Sequence, residues 1–207
     1  MAQRDKTRTY DPAECAVFMK TNERFGGLSN MAAGFPLTVE GVRVRTSEAL
    51  YQACRFPHRP DVQAIIIAER SPMTAKMRGK PYHHNTRPDW NEVRVNIMRW
   101  CLRVKLAQNF DTFSKLLLTT GEMPIVEKKV RRTDFWGAKV TEDGTLVGQN
   151  VLGRLLMELR EILKSSDSDT LRSVSPLSIP KFHLMGKEIK AVSDFYCEMR
   201  DCLDEPR

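Results

Sequence analysis

The chain has 207 residues, of which 41% are hydrophobic and 29% charged, a composition typical of globular proteins and not of disordered or fibrous ones. No apolar run approaches the ~20 residues of a membrane span, and residues 1–11 lack the apolar segment of a secretory signal, so we expect a cytoplasmic protein without membrane contact. The five cysteines and four histidines show no metal-ligand or disulfide spacing, and no phosphate-binding loop or dinucleotide fingerprint is present, so neither a metal nor a cofactor is expected.

The formal charge of +7 is unevenly distributed along the chain. Residues 165–207 carry a net charge of −2, which leaves +9 on residues 1–164. A basic domain favours partners that carry phosphate, such as nucleotides or nucleic acid. The alternative is that a moderate positive charge only aids solubility.

The first part of the chain predicts a short β-hairpin followed by a helix. Residues 1–15 are expected to form a flexible N-terminus, and Cys15 to Lys20 are expected to form a short strand. Apolar residues then alternate from Phe35 to Val44, with Glu40-Gly41 as the turn between two strands. Thr46 or Ser47 is suited to cap the helix that follows.

The remainder of the chain predicts mainly helices. Their expected positions are residues 61–70, 72–79, 91–108, 111–121 and a last core helix that starts at Asn150, with a short strand at 125–127. Residues 165–180 are rich in Ser, Pro and Asp and predict a linker, and residues 181–207 predict a C-terminal helical extension. The fold class predicted is therefore α+β: a compact, predominantly helical single domain over residues 16–164 with a small antiparallel β-hairpin.

A first polar cluster falls on the helix that starts near Thr46. Glu48, Gln52 and Arg55 recur at i, i+4 and i+7 and share one helix face. A carboxylate with an amide and a guanidinium below it suits a catalytic or binding face. The same pattern is also typical of an ordinary solvated face.

A second cluster pairs Asp134 with Trp136, between a basic run and Gly137. An indole stacks on flat rings, and a carboxylate that it desolvates is suited to sugar or base chemistry. The alternatives are a core aromatic residue for Trp136 and a turn former for Asp134.

A third candidate is the predicted helix start from Gly148 to Gly153. Free N–H groups at such a start bind phosphate. A plain N-cap by Asn150 is the alternative, with Gly153 serving only close packing.

The order and spacing of many short segments between about Ala16 and Lys164 resemble the NADAR (YbiA-like) family. No single segment is decisive, but together they are highly specific. The segments are Leu28-Ser29-Asn30, Thr46-Ser47-Glu48 with Tyr51-Gln52-Ala53, Ser71-Pro72-Met73, Arg87-Pro88-Asp89-Trp90, Lys105-Leu106-Ala107-Gln108, residues 116–121, Val126-Glu127, Asp134-Phe135-Trp136-Gly137 and residues 150–160.

The resemblance implies a largely helical α+β domain that hydrolyses N-glycosidic bonds. Members of the family act on riboflavin-pathway intermediates, or remove ADP-ribose from guanine bases in DNA as antitoxins to an ADP-ribosyltransferase. Matched residue by residue, the family's essential Glu, Asp and Trp fall on Glu48, Asp134 and Trp136.

The same resemblance suggests which residues bind the substrate. Gln52 and Asn30 are expected to contact ribose hydroxyls. A pyrophosphate is expected at Lys76 and Arg78, and at the helix start formed by Asn150 and Gly153.

This sequence departs from the family pattern in three places. Ala49 stands where the family usually has His, the glycine-rich run that often follows Trp136-Gly137 is missing, and residues 165–207 lie outside the resemblance. With the basic core, the last two features favour an ADP-ribosyl-guanine N-glycosidase acting on DNA or nucleotides, partnered by a cognate ADP-ribosyltransferase toxin encoded with it. The alternatives are an N-glycosidase of ribosylamino-pyrimidine intermediates of the riboflavin pathway, or a non-catalytic ADP-ribose-binding module.

Overall fold

The structure, a computed structural model, describes residues 7–129 and 135–194, in which short strands precede and follow a run of five helices. Several short 3-10 turns connect them. The strands are β1 (Arg8–Tyr10), β2 (Ala16–Phe18), β3 (Leu37–Val39), β4 (Val42–Val44), β5 (Ile125–Lys129), β6 (Ala138–Val140), β7 (Leu146–Gly148), β8 (Ser173–Val174), β9 (His183–Leu184), β10 (Lys187–Glu188) and β11 (Val192–Ser193). The helices are α1 (Ser47–Ala53), α2 (Pro60–Ala68), α3 (Pro72–Arg78), α4 (Trp90–Gln108), α5 (Phe110–Leu118) and α6 (Val151–Ser165). The α+β class predicted from the sequence is confirmed.

The chain divides into two compact units, each of which is described by itself. The first unit comprises the described parts of 1–29 and 115–165 and contains a mixed sheet in the order β1-β7-β6-β5-β2. β5 runs parallel to β2 and to β6, whereas β7 pairs antiparallel with β6 and β1. α6 packs on β5 and buries a leucine stripe, which consists of Leu152, Leu155, Leu156 and Leu159.

The N-terminus differs from its prediction. Arg8–Tyr10 form the edge strand β1, which pairs with β7, and Tyr10 is only 8% exposed in the apolar core of the sheet. Residues 8–10 are therefore an ordered part of the first unit rather than a flexible leader. The strand was not predicted because it depends on pairing with β7, which lies far away in the chain.

The second unit comprises 30–114 and the described part of 166–207. Its hairpin β3–β4 is confirmed, and the turn residues Glu40 and Gly41 both have positive φ, as a tight two-residue turn requires. The long helix α4 begins one residue before its prediction and ends at the predicted Gln108. None of the described helices is both long and apolar enough to cross a membrane.

The segment after α6 contradicts two predictions. Residues 165–180 are not a free linker: they contain a 3-10 turn and β8, which pairs with β11, and Trp100 of α4 donates its indole N–H to the Ser175 carbonyl at 3.1 Å. Residues 181–194 are not helical, because Met185 and Gly186 have positive φ and turn the chain between β9 and β10. The rest of the predicted helical extension, 195–207, lies outside the described residues.

Gln63 of α2 ties this C-terminal segment to α1. Its side-chain amide donates to the carbonyls of Ala53 and His183, both at 3.1 Å, and its side-chain oxygen accepts from the Met185 N–H at 2.6 Å. Gln63 is completely buried. The C-terminal segment is therefore part of the packing around α1.

A lysine is fully buried in the second unit. The ammonium nitrogen of Lys105 lies 4.5 Å from the ring centroid of Phe35 and 4.3 Å from that of Phe113. Burial lowers the pKa of Lys105 from its ordinary 10.5 to about 7. Aromatic faces attract the charged form, but removal from water outweighs that attraction here.

The shifted pKa of Lys105 predicts a stability that depends on pH. Between about pH 7 and 10.5 the unfolded chain holds this proton and the folded chain releases it, so the free energy of unfolding rises with pH across that window. Urea unfolding at about pH 7 and about pH 9 measures the rise. Lys105→Met should remove this part of the rise, whereas the exposed control Lys115→Met should retain it; equal pH dependence in the two variants would contradict the assignment.

Candidate active site

Glu48 lies in the first turn of α1, a helix in which every residue is buried. Thr46 caps the helix by accepting the Ala49 N–H at 3.3 Å, as predicted. α1 packs against α2, α3 and α4, so the helix has no solvated face. The sequence alternative of an ordinary solvated face for Glu48 is therefore wrong: this residue is only 6% exposed.

Two side chains contact the buried carboxylate. The Gln52 amide donates to Glu48 Oε1 at 2.9 Å, and the Lys76 ammonium lies 3.6 Å from the same oxygen. A buried carboxylate is costly unless it is paired, and a neutral donor with a cation meets that need. The structure thus brings together three of the predicted site residues, because Gln52 and Lys76 both contact the Glu48 carboxylate.

Two buried polar atoms next to Glu48 have no hydrogen-bond partner within the described residues. They are Asn30 Oδ1 and Ser47 Oγ, on residues that are 4% and 1% exposed. The Asn30 backbone carbonyl accepts the Glu48 N–H at 3.0 Å, and its side-chain amide donates to the Met98 sulfur. A buried polar atom without a partner costs about 1–3 kcal/mol, so these atoms favour a bound water or ligand beside Glu48.

Aromatic and cationic side chains from α1, from the turn just after it and from the start of α4 lie together in this region, and the sequence predicted only Arg55 among them as part of the polar face of Glu48. The Arg55 guanidinium lies 4.7 Å from the Trp90 ring centroid and donates to His83 Nε2 at 2.8 Å, while the Tyr51 and Trp90 rings are 5.0 Å apart. Burial and the Glu48 charge raise the pKa of Tyr51, so its hydroxyl stays protonated. Tyr51 and Arg55 follow Glu48 by three and seven residues. This spacing is the feature of the sequence that indicates a position near the same helix face.

Arg78 is placed differently from Lys76 on the same helix. Its Nε donates to Glu69 Oε1 at 2.5 Å, and its side chain lines a surface cavity formed with α2. Arg78 stays a predicted ligand contact through that cavity.

In the first unit, the N-terminus of α6 holds the segment that carries Trp136. The backbone N–H groups of Asn150, Val151 and Leu152 donate to the carbonyls of residues 137, 135 and 136, at 3.2, 2.9 and 3.0 Å. Trp136 is partly exposed, with the Phe135 ring edge-on at 5.0 Å. Asp134 lies outside the described residues, so its role stays a prediction.

These contacts contradict the predicted phosphate site at the start of α6. The N–H groups that would bind a phosphate are occupied by carbonyl oxygens of residues 135–137. Asn150 is completely buried: its side chain donates to the Ile125 carbonyl at 2.8 Å and accepts from the Glu127 N–H at 3.3 Å. The prediction that Asn150 binds ligand is therefore wrong, because its backbone N–H and its side chain are bonded within the protein. Gly153 permits the close packing of α6 on β5, and its ligand contact stays a prediction.

Comparisons with known proteins agree with the resemblance found in the sequence. The NADAR domain family model matches residues 17–164. The chain is 35% identical over 149 residues to the N-glycosidase YbiA of Escherichia coli K12, covering 70% of this chain and 86% of that protein. It is 29% identical to an N-glycosidase of Nostoc punctiforme, covering 72% and 92%.

A solved structure and one further relative extend the comparison. The NMR structure of the Escherichia coli protein YbiA matches with a TM-score of 0.60 and 35% identity, covering 72% of this chain and 83% of that one. A riboflavin biosynthesis protein of Vibrio vulnificus is 32% identical, covering 71% of this chain but 38% of that protein.

Gly153→Ala tests the packing role assigned to the start of α6. A Cβ at this position would lie 2.0 Å from the Ile125 carbonyl oxygen and 2.5 Å from the Asn150 side chain. We expect a loss of about 3 kcal/mol in the free energy of unfolding, measured by urea denaturation. Gly34→Ala is the matched control, since a Cβ there meets no atom within 4 Å. A Gly153→Ala variant that is stable but has a raised KM would contradict the packing role and support the predicted contact of Gly153 with ligand.

Proposed function

The chain belongs to the NADAR domain family and is a hydrolase of N-glycosyl bonds, and from this premise we propose that its substrate is an ADP-ribosyl group joined to guanine. The observation that carries the proposal is the buried Glu48 carboxylate, held by Gln52 and Lys76 beside polar atoms that have no partner among the described residues. The enzyme would remove ADP-ribose from modified DNA or nucleotides. Its cellular partner would then be an ADP-ribosyltransferase toxin that makes this modification.

Glu48 is suited to the central step of such a hydrolysis. Cleavage of the bond between the anomeric carbon and the base nitrogen gives an oxocarbenium-like sugar, which a nearby carboxylate stabilises. The same carboxylate can accept a proton from the attacking water, while the departing base nitrogen takes up a proton, for which Asp134 is the candidate acid. Asn30 Oδ1 or Ser47 Oγ, which have no partner in the part of the chain that the structure describes, would accept a hydrogen bond from that water or from a ribose hydroxyl.

Lys76 supports a substrate that carries phosphate. Its side chain is 46% exposed although its ammonium reaches Glu48, so it borders both the carboxylate and the solvent. A pyrophosphate attached to the ribose would meet this cation. The net charge of +9 on residues 1–164 favours the same class of substrate.

A second candidate is hydrolysis of ribosylamino-pyrimidine intermediates of the riboflavin pathway. It is favoured by the likeness to the Vibrio vulnificus relative, which is named a riboflavin biosynthesis protein. The missing glycine-rich run after Gly137 and the C-terminal segment beyond the family match favour the ADP-ribosyl substrate instead. The resemblance marks Asp134 and Trp136 as essential residues, and their roles as acid and as stacking residue stay predictions.

The substrate assay separates the two candidates. The protein is incubated with a guanine-ADP-ribosylated oligonucleotide and, separately, with ribosylamino-pyrimidine intermediates, and released base and sugar are measured by mass spectrometry. We expect release of ADP-ribose from the oligonucleotide. Cleavage of the pyrimidine intermediates alone would contradict the proposed substrate.

Glu48→Gln tests the catalytic assignment. The amide keeps the size of the side chain and removes its charge, so we expect kcat to fall by about 10³-fold with little change in folding. Glu92→Gln, a change at an exposed glutamate in the first turn of α4, should retain full activity. If wild type binds ADP-ribose but cleaves no ribosyl-base bond, and Glu48→Gln binds equally well, the protein is a binding module.

Lys76→Ala tests the contact between cation and carboxylate. Loss of the ammonium removes an ion pair with Glu48 and the proposed contact to pyrophosphate, so we expect kcat/KM to fall about tenfold. Lys80→Ala removes another exposed lysine just beyond α3 and serves as control. Equal activity of the two variants would assign no role to Lys76.

A further inference from the structure

A cavity of about 390 Å³ lies against α3, outside the contacts of Glu48 described above. Its volume falls within the range of small-molecule sites. The lining side chains come from α2, α3 and the turn after α3: Ile65, Thr74, Met77, Arg78, Pro81 and Tyr82.

The lining suits one flat heteroaromatic ring. Met77 and Ile65, which are 48% and 39% exposed, give the lining a thioether and an aliphatic surface. The Arg59 guanidinium lies 5.5 Å from the ring centroid of Tyr82 and bonds to Asp61 and Asn85, so it helps to hold the phenol ring in place. Thioether and aromatic surfaces stack on bases, and Thr74 and Arg78 supply polar groups for ring nitrogens or an attached phosphate.

The geometry of α3 connects this cavity with Glu48. Lys76 and Met77 are consecutive, so their side chains project about 100° apart around the helix. Lys76 reaches Glu48, and Met77 lines the cavity. The two places therefore lie around one helix of roughly 10 Å diameter, a span that a diphosphate between two nucleosides covers.

We propose that this cavity binds the adenine ring of the ADP-ribosyl group, while Lys76 contacts the diphosphate and Glu48 faces the distal ribose. The inference rests on the proposed function, because it assigns the far end of the same substrate. In this arrangement α3 sets the distance between the adenine site and Glu48, and so selects the length of the substrate. A ribosyl group without a second nucleoside would leave the cavity unfilled.

The experiment compares ligands with and without the adenine ring. ADP, AMP and ribose 5-phosphate are titrated into the full chain by calorimetry. We expect ADP to bind at least tenfold more tightly than ribose 5-phosphate. Equal affinities for ADP and ribose 5-phosphate would overturn the proposal.

Two methionines of α3 provide a matched pair of variants. Met77→Ser removes a side chain that lines the cavity, and we expect the Kd for ADP to rise at least fivefold. Met73→Ser removes an equally exposed methionine one turn earlier that does not line the cavity, and its Kd should change less than twofold. Equal losses in the two variants would overturn the proposal.

The hydrolysis assay separates a failure of the subsite from a failure of the proposed function. If the protein binds ADP through Met77 but cleaves no ADP-ribosyl-guanine, the cavity is an adenine nucleotide site and the proposed function fails. If it cleaves ADP-ribosyl-guanine and Met77→Ser leaves KM unchanged, the proposed function stands and the subsite fails.

Discussion

The constraint on which the candidate site depends is a carboxylate on a helix that is buried on all sides. Glu48 has lost most of its water, and a charge in that position is stable only with donors that replace the water. Gln52, one turn along α1, and Lys76, from α3, are those donors. The packing of α3 against α1 therefore belongs to the chemistry of the site as much as to the fold.

The surroundings of α1 show how the rest of the second unit serves this helix. Gln63 bonds the last turn of α1 to the backbone around β9, and the Trp100 indole bonds to the backbone beyond β8. A segment that begins beyond the family match thus packs around the helix that carries Glu48. Its turns, rather than a helix, provide the carbonyl and N–H groups that these buried side chains need.

In the first unit a helix start has been used for positioning instead of ligand binding. Three N–H groups of α6 are bonded to the carbonyls of residues 135–137, which fixes the backbone on which Trp136 stands. Gly137 and Gly153 permit the close approach to β5 on either side, since a Cβ on each would meet a β5 carbonyl oxygen at 2.3 and 2.0 Å. The glycines near Trp136 are thus explained by backbone contact and not by phosphate.

The sequence by itself determined the α+β class, the hairpin with its Glu40-Gly41 turn, a helix cap at Thr46 or Ser47, and Glu48 as the foremost catalytic candidate. These features follow from local patterns and from the order of motifs, which need no knowledge of distant partners. Only the tertiary structure decided that Lys76 contacts Glu48, that the Asn150 side chain bonds to the backbone of β5, and that residues 165–194 pack in turns and short strands. Each of these depends on a contact between residues far apart in the chain, and a buried donor or acceptor takes whichever partner packing brings to it.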